Sequence, residues 1–371
     1  MRQIEKTHFY SKKIGDLPKG CQYCVKGEKL VLYITGICPK NCWFCPLSDK
    51  RKNQDVVFLN EWKSDKIEDV LEEVQLCQSK GAGITGGDPL SRLDRTIEYI
   101  RVLKKNFGRE FHIHLYTSFD LVDESSLKKL YNAGLDEIRF HADLDDSSSW
   151  HKIDIANKFD WDIGIEIPCI PNKKDQIKKI CNFFENKIHF LNLNEFEISE
   201  LSSQEMTKRG FQEKSDISYA IKGSEKLAKE ILNFCLNKNF NVHFCTSKLK
   251  DKVQMKNRLK LRAQNVKTKY DVITNEGLLY RGIIYLKALN SYQIKKGKYD
   301  KEEVLNQLYQ KKDFLTGEGL DVILDKKKYR LITYPEHVEQ FSETLKSLDL
   351  IPALVEEDPS QEQFELTVDY L

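Results

Sequence analysis

Between Leu30 and Phe196 six short apolar runs that read as strands alternate with five stretches spaced as amphipathic helices. The strand candidates are 30–35, 83–85, 111–117, 137–140, 163–167 and 188–196. Between them, Ile67, Val70, Leu71, Val74 and Cys77 share one helical face behind Ser64 and Asp65 as N-cap candidates, and similar patterns cover 93–103, 127–131, 153–159 and 177–184. A strand that returns through a helix to pair with the next must run parallel to it, by a right-handed crossover. The chain is therefore read as α/β, either an open sheet or a barrel. In both architectures ligands bind where the carboxyl ends of the strands gather.

The residues at those ends carry the chemistry. After the first strand comes Ile37-Cys38-Pro39-Lys40-Asn41-Cys42-Trp43-Phe44-Cys45-Pro46, with three cysteines on a tight loop. Three thiolates can hold three irons of a cubane cluster and leave the fourth open, whereas a cluster built for electron transfer takes four. The same cysteines could instead join a structural zinc site completed by Cys21 or Cys24. After the second strand comes Ile84-Thr85-Gly86-Gly87-Asp88-Pro89. Without Cβ atoms, Gly86 and Gly87 let backbone approach a ligand closely, and Asp88 could receive an ammonium group.

The cysteine spacing, the aromatic Phe44 before the last cysteine and the Gly86-Gly87 motif together resemble the radical SAM superfamily. The resemblance implies a partial (β/α)6 barrel rather than a flat sheet. It also implies a [4Fe-4S] cluster on Cys38, Cys42 and Cys45, with S-adenosylmethionine (SAM) at the open iron. Phe44 would lie against the adenine, and Gly86, Gly87 and Asp88 at the amine, although the family usually has Glu at the last position. Thr117 and Ser118 would face the ribose or carboxylate of SAM. Arg139 with Glu166 has two open readings, a structural ion pair or a hold on SAM or substrate; Asn192, Asn194 and Glu195 are candidates for the pocket floor. His112 and His114 alternate with Tyr116 on one face of their strand, and Arg139 with His141 on theirs.

As a whole the chain resembles a mainly archaeal group related to the pyruvate formate-lyase activating enzyme. The function implied is reductive cleavage of SAM to a 5′-deoxyadenosyl radical that abstracts hydrogen from a substrate, fed by a donor such as flavodoxin or ferredoxin. The substrate stays open between an activase-type protein, RNA, a peptide and a metabolite. The contrasting reading is a non-catalytic iron-sulfur or zinc protein that binds RNA.

Charge and cysteine usage bound the rest. Fifty-nine basic against 57 acidic residues create no global field toward nucleic acid or membrane. The start, 1–13, lacks the apolar core of a signal peptide, and no run approaches the roughly 20 apolar residues of a span, so a cytoplasmic protein is expected. Ten cysteines, five of them between Cys21 and Cys45, fit a reducing compartment with metal binding. Cys21 and Cys24 form a CxxC ahead of the first strand, and Cys245 ends a seventh strand candidate, 240–245. These three, with His243, could complete a zinc or auxiliary cluster site; the alternatives are a redox pair or plain buried thiols. From Lys248 to Lys269 nine basic residues face one acid, either a solvated helix or an RNA-binding one. The expected organisation is an N-terminal CxxC segment (1–28), the barrel (29–247), the basic connection (248–269) and a small α+β domain (270–371).

Overall fold

The computed structural model describes residues 2–199, 201–215, 218–287, 289, 297 and 299–371. These form two compact units, 1–258 and 259–371.

The first unit is built on seven parallel strands, β1 (Lys29–Tyr33), β2 (Gly81–Thr85), β3 (His112–Ser118), β4 (Glu137–His141), β5 (Asp162–Cys169), β6 (Phe190–Glu195) and β7 (Asn241–Cys245), hydrogen-bonded in sequence order. The six expected strands are present, and the seventh candidate continues the sheet. Ahead of β1 lies helix α1 (Lys19–Lys26); the crossovers carry α2 (Ile67–Leu76), α3 (Leu93–Phe107), α4 (Glu124–Ala133), α5 (Ile153–Ala156), α6 (Lys174–Phe183), α7 (Ser203–Lys208) and α8 (Ser224–Phe234). β1 and β7 do not pair with each other. Each is flanked by a short antiparallel strand, Phe58–Leu59 beside β1 and Lys12–Ile14 beside β7, so the sheet is open.

The sheet is nevertheless curled. α1 packs against β1, β2 and β3, while the Cys21 sulfur on the same helix accepts a hydrogen bond from Asn192 Nδ2 of β6 at 3.4 Å. In a flat sheet β1 and β6 would lie five strand spacings apart, roughly 24 Å. An eight-residue helix bridges them only because the sheet wraps around it.

Strand alternation explains the two surfaces of this sheet. Leu30, Leu32, Ile84, Leu115, Ile138, Ile165, Leu193 and Phe244 point outward and are fully buried in one core with the helices. Each such side chain contributes roughly 1.5–3 kcal/mol. The alternate positions point inward, and among them are the polar residues His112, His114, Tyr116, Arg139, Glu166, Asn192 and His243. Helix ends follow local chemistry, as in α4, where the Asp123 carboxylate accepts from Ser126 N and the Ser126 hydroxyl in turn accepts from Asp123 N. At α2 the expected cap is absent: Ser64 and Asp65 precede the helix by too much, and the Ser64 hydroxyl bonds Asp69 instead.

The second unit is a six-stranded antiparallel sheet with the helix Lys301–Gly317 and two short helices, Pro335–Gln340 and Ser342–Ser347, where one helix over 337–348 is expected from the sequence. Its buried charges pair among themselves, Arg330 and Arg281 both on Glu357.

Candidate active site

The cysteine loop and the glycine motif are tied together at their roots. Gly87 N donates to Thr35 O at 2.7 Å and Asp88 N to Ile37 O at 2.9 Å. A Cβ on Gly86 would stand 2.4 Å from Thr35 O, and one on Gly87 2.5 Å from Ile37 O. Both glycines are therefore required by the chain leading into the cysteines, in addition to any ligand.

Asp88 is fully buried and its carboxylate is used completely. Oδ1 accepts from Leu90 N and Thr117 Oγ1 (3.0 and 2.8 Å), and Oδ2 from Ser118 N and Oγ (3.1 and 2.8 Å). Burial pushes this carboxyl up, against the pull of those hydrogen bonds. The sequence offers Asp88 for a ligand's ammonium group; the structure employs it to hold Thr117 and Ser118 at the end of β3. The contribution left for a ligand is that of the Gly86-Gly87 backbone.

Cys38, Cys42, Phe44 and Cys45 line one cavity of about 500 Å³ together with Gly86, Gly87, Asp88, Thr117, Ser118, Arg139, His141 and Glu166. The three loop thiols are free, and burial pushes Cys42 up to about 11, with the neighbouring thiols of Cys38 and Cys45 adding to the effect. Cys38 is raised too, chiefly by burial. A metal would ionise these thiols by displacing their protons. Among the described residues no three His, Cys, Asp or Glu side chains converge as ligands of one metal ion. Three thiols on separate irons of a cubane need not converge, so the donor set fits a cluster with one open iron.

Sequence reasoning missed the cover of this loop. Trp43 stacks on Phe211 (centroids 5.7 Å apart, 10° between planes), meets Phe196 edge-on, and lies under the Arg209 guanidinium at 4.4 Å. Ser199 Oγ donates to Cys45 O at 3.2 Å. The aromatic pair Trp43-Phe44 was the available signal. Also missed were Asp120 and Asp143, each 3.2 Å from Lys40 Nζ of the cysteine loop.

Deeper in the barrel Arg139, 2% exposed, pairs with both Glu137 and Glu166, the latter at 2.9 Å. Glu166 also accepts from Asn192 and Asn194, each at 2.9 Å. Burial pushes Glu166 up, but Arg139 and the two amides outweigh it and hold the carboxyl below its ordinary value. The bland reading of Arg139 with Glu166, a buried ion pair, is thus realised, and Glu137 is the partner the sequence did not single out. Asn194 and Glu195, candidates for the floor, line the cavity, and Glu195 also accepts from Ser247 N and Oγ.

Among the described residues Cys21, Cys24 and Cys245 make no converged group of metal ligands. Cys21 is held by Asn192, Cys245 lies 3.9 Å from Gln254 Nε2, and His243 Nε2 turns to Ser11 Oγ at 3.1 Å. The basic run spends part of its charge internally: Lys250 pairs with Glu197 and Arg258 with Glu61.

His112 is held down to about 4 by burial. Its unfolded value near 6.5 is higher, so the unfolded chain binds the extra proton between those pH values, and stability falls as pH drops from 7 toward 4. We expect the drop in unfolding free energy between pH 7 and pH 5 to be smaller in His112→Gln by about 2 kcal/mol. Urea titrations at both pH values check this, and equal slopes would remove His112 as the cause.

The model of the radical SAM superfamily matches residues 32–183. A Methanocaldococcus jannaschii protein, named provisionally as a glycyl-radical enzyme activating enzyme, is 40% identical over 361 residues, covering 94% of this chain and 95% of its own. Biotin synthase of Pseudoalteromonas translucida is 27% identical over 153 residues, 40% of each chain. Among solved structures, methylornithine synthase aligns with a TM-score of 0.38 at 14% identity, over 56% of this chain and 61% of its own. With the cysteine loop, the glycine motif and a relative alike over nearly its whole length, the chain belongs to the radical SAM superfamily.

Proposed function

We propose that this enzyme cleaves SAM reductively and uses the resulting radical to take a hydrogen atom from an organic substrate. One observation carries the reading: three free thiols, the Gly86-Gly87 backbone and the Asp88–Thr117–Ser118 network border a single cavity at the carboxyl ends of parallel strands. When bound, the cluster and SAM supply one-electron cleavage of the sulfonium to methionine and a 5′-deoxyadenosyl radical, the electron coming from an external reductant such as flavodoxin or ferredoxin.

The chain's own residues do the positioning. Cys38, Cys42 and Cys45 would each hold one iron, and the Gly86-Gly87 backbone would receive the ammonium of SAM. Phe44, in the wall beside His141 with ring centroids 5.9 Å apart, would support the adenine. Thr117 and Ser118, oriented by Asp88, would present their free hydrogen-bonding capacity to the ribose or carboxylate. Trp43 and its aromatic neighbours keep water from the outer side of the loop.

The name of the M. jannaschii relative favours a glycyl-radical protein as one substrate to test. Anaerobic reconstitution with iron and sulfide, followed by dithionite and SAM, is expected to yield 5′-deoxyadenosine and methionine in equal amounts. A reconstituted sample with full iron content and no 5′-deoxyadenosine would overturn the proposal.

A further inference from the structure

The cavity does not end at the cysteine loop. It continues down the inner face of β1 and β2, past Val31 and Gly83, to Lys29 at the start of β1. It reaches that depth because the inward positions of β2 below Thr85 are Gly83 and Gly81, which project no side chain. His114 takes up part of the room: a Cβ on Gly83 would stand 2.7 Å from His114 Nε2.

The polar groups around this lower chamber are unequally satisfied. The carboxylates are occupied, Glu166 by Arg139, Asn192 and Asn194, and Glu137 by Arg139 and by Gly20 N at 3.2 Å. His114 is fully buried and uncharged, its pKa driven well below the usual range by burial. Lys29 is different: it makes no hydrogen bond or ion pair with any described residue, although it lines the cavity. The Tyr116 hydroxyl lines the same space. It accepts from Arg139 Nη1 at 3.1 Å, and its own hydrogen has no acceptor among the described residues. The lower chamber therefore offers an ammonium and a phenolic donor that neither of its carboxylates takes up. A neutral apolar group would leave both donors unpaired, which is costly away from water.

We propose that Lys29 and Tyr116 bind the carboxylate of a small organic acid, the substrate of the radical reaction proposed above, on which this inference rests. A carboxylate brings one negative charge and two oxygens, matching one ammonium and one hydroxyl donor. A phosphate group would call for more: a guanidinium or a run of backbone N–H groups, and the guanidinium of Arg139 is already committed. A glycyl segment inside a protein chain offers carbonyl acceptors but no negative charge to match the ammonium.

The test is calorimetric titration of the anaerobically reconstituted full-length protein with acetate, pyruvate, succinate, L-aspartate and inorganic phosphate. At least one of the four carboxylates is expected to bind wild type. Lys29→Met should weaken that binding about 10- to 100-fold and Tyr116→Phe about 3- to 10-fold, while Lys29→Arg keeps most of it. Iron content and thermal unfolding report whether each variant is folded; should Lys29→Met not fold, Lys29→Arg with Tyr116→Phe carries the comparison. Binding of no carboxylate, equal binding by folded Lys29→Met (or by Tyr116→Phe when that variant carries the comparison), or preference for phosphate would overturn the site. 5′-Deoxyadenosine is measured on the same samples. Its absence alongside Lys29-dependent binding removes the radical reading and leaves the site; its presence without such binding does the reverse.

Discussion

Replacing Cys42 with alanine is expected to abolish 5′-deoxyadenosine formation in the reconstituted protein and to lower bound iron with it. Cys42 is the central thiol of the loop, buried more deeply than Cys38 and flanked by both other candidates. A cubane held at three points has no spare protein ligand, so removing one leaves an iron to solvent and the cluster to decay. The change is also nearly silent for the fold. The loop 38–48 has no regular secondary structure, and its shape rests on Thr35, Ile37 and the glycine motif rather than on the Cys42 sulfur. Iron content, the absorbance of the cluster and product formation should fall together while thermal unfolding hardly moves. Retention of SAM cleavage by Cys42→Ala would remove the loop from the chemistry altogether.

Replacing Arg139 with methionine is expected to cost about 3–5 kcal/mol of stability. Glu137 is wholly buried, Glu166 lines the cavity, and the one guanidinium pairs with both. Methionine fills comparable volume but strands Glu137 where water does not reach and takes the counter-charge from Glu166, the mechanism behind the largest single-residue losses. Arg139 also lies over the rings of Tyr116 and Phe190, at 5.2 and 5.3 Å, so its removal loosens β3 and β6 as well. Urea unfolding of the wild type and the variant checks the magnitude. The double variant Glu137→Gln, Arg139→Met should recover part of the loss, because one stranded charge is then removed. A cost below about 1 kcal/mol would mean that both carboxylates are solvated after all.

Much of the first unit was legible. The inner and outer faces of the strands follow from alternation alone, and Leu30, Leu32, Ile84 and Leu115 are outward and buried as that periodicity requires. The cysteine loop was legible because its three thiols are neighbours in sequence. Helix α1 was not legible as an interior element. Its place depends on Gly20, where a Cβ would stand 2.5 Å from His114 Nδ1 and 2.7 Å from Arg139 Nη2. Those contacts come from residues about 95 and 120 positions away, to which no local pattern points. The same is true of Asp88. In sequence it resembles a ligand-binding acid, and its commitment to Thr117 and Ser118 becomes visible only when β2 and β3 are brought side by side. The basic run 248–269 stayed open between a solvated helix and an RNA-binding one because its partners, Glu61 and Glu197, belong to distant segments.

The amino-acid order alone determined the donor set, three thiols and a glycine pair after consecutive strands, and the parallel α/β architecture. Both are short-range properties, written in spacing and period. Tertiary structure decided which inward-facing polar groups neutralise one another and which stay unpaired. The parity of a strand places Lys29, Tyr116, Glu137, Arg139 and Glu166 on one face. Which of them touch is set by the stagger and curl of neighbouring strands, a collective result of packing the outer core that no residue carries by itself.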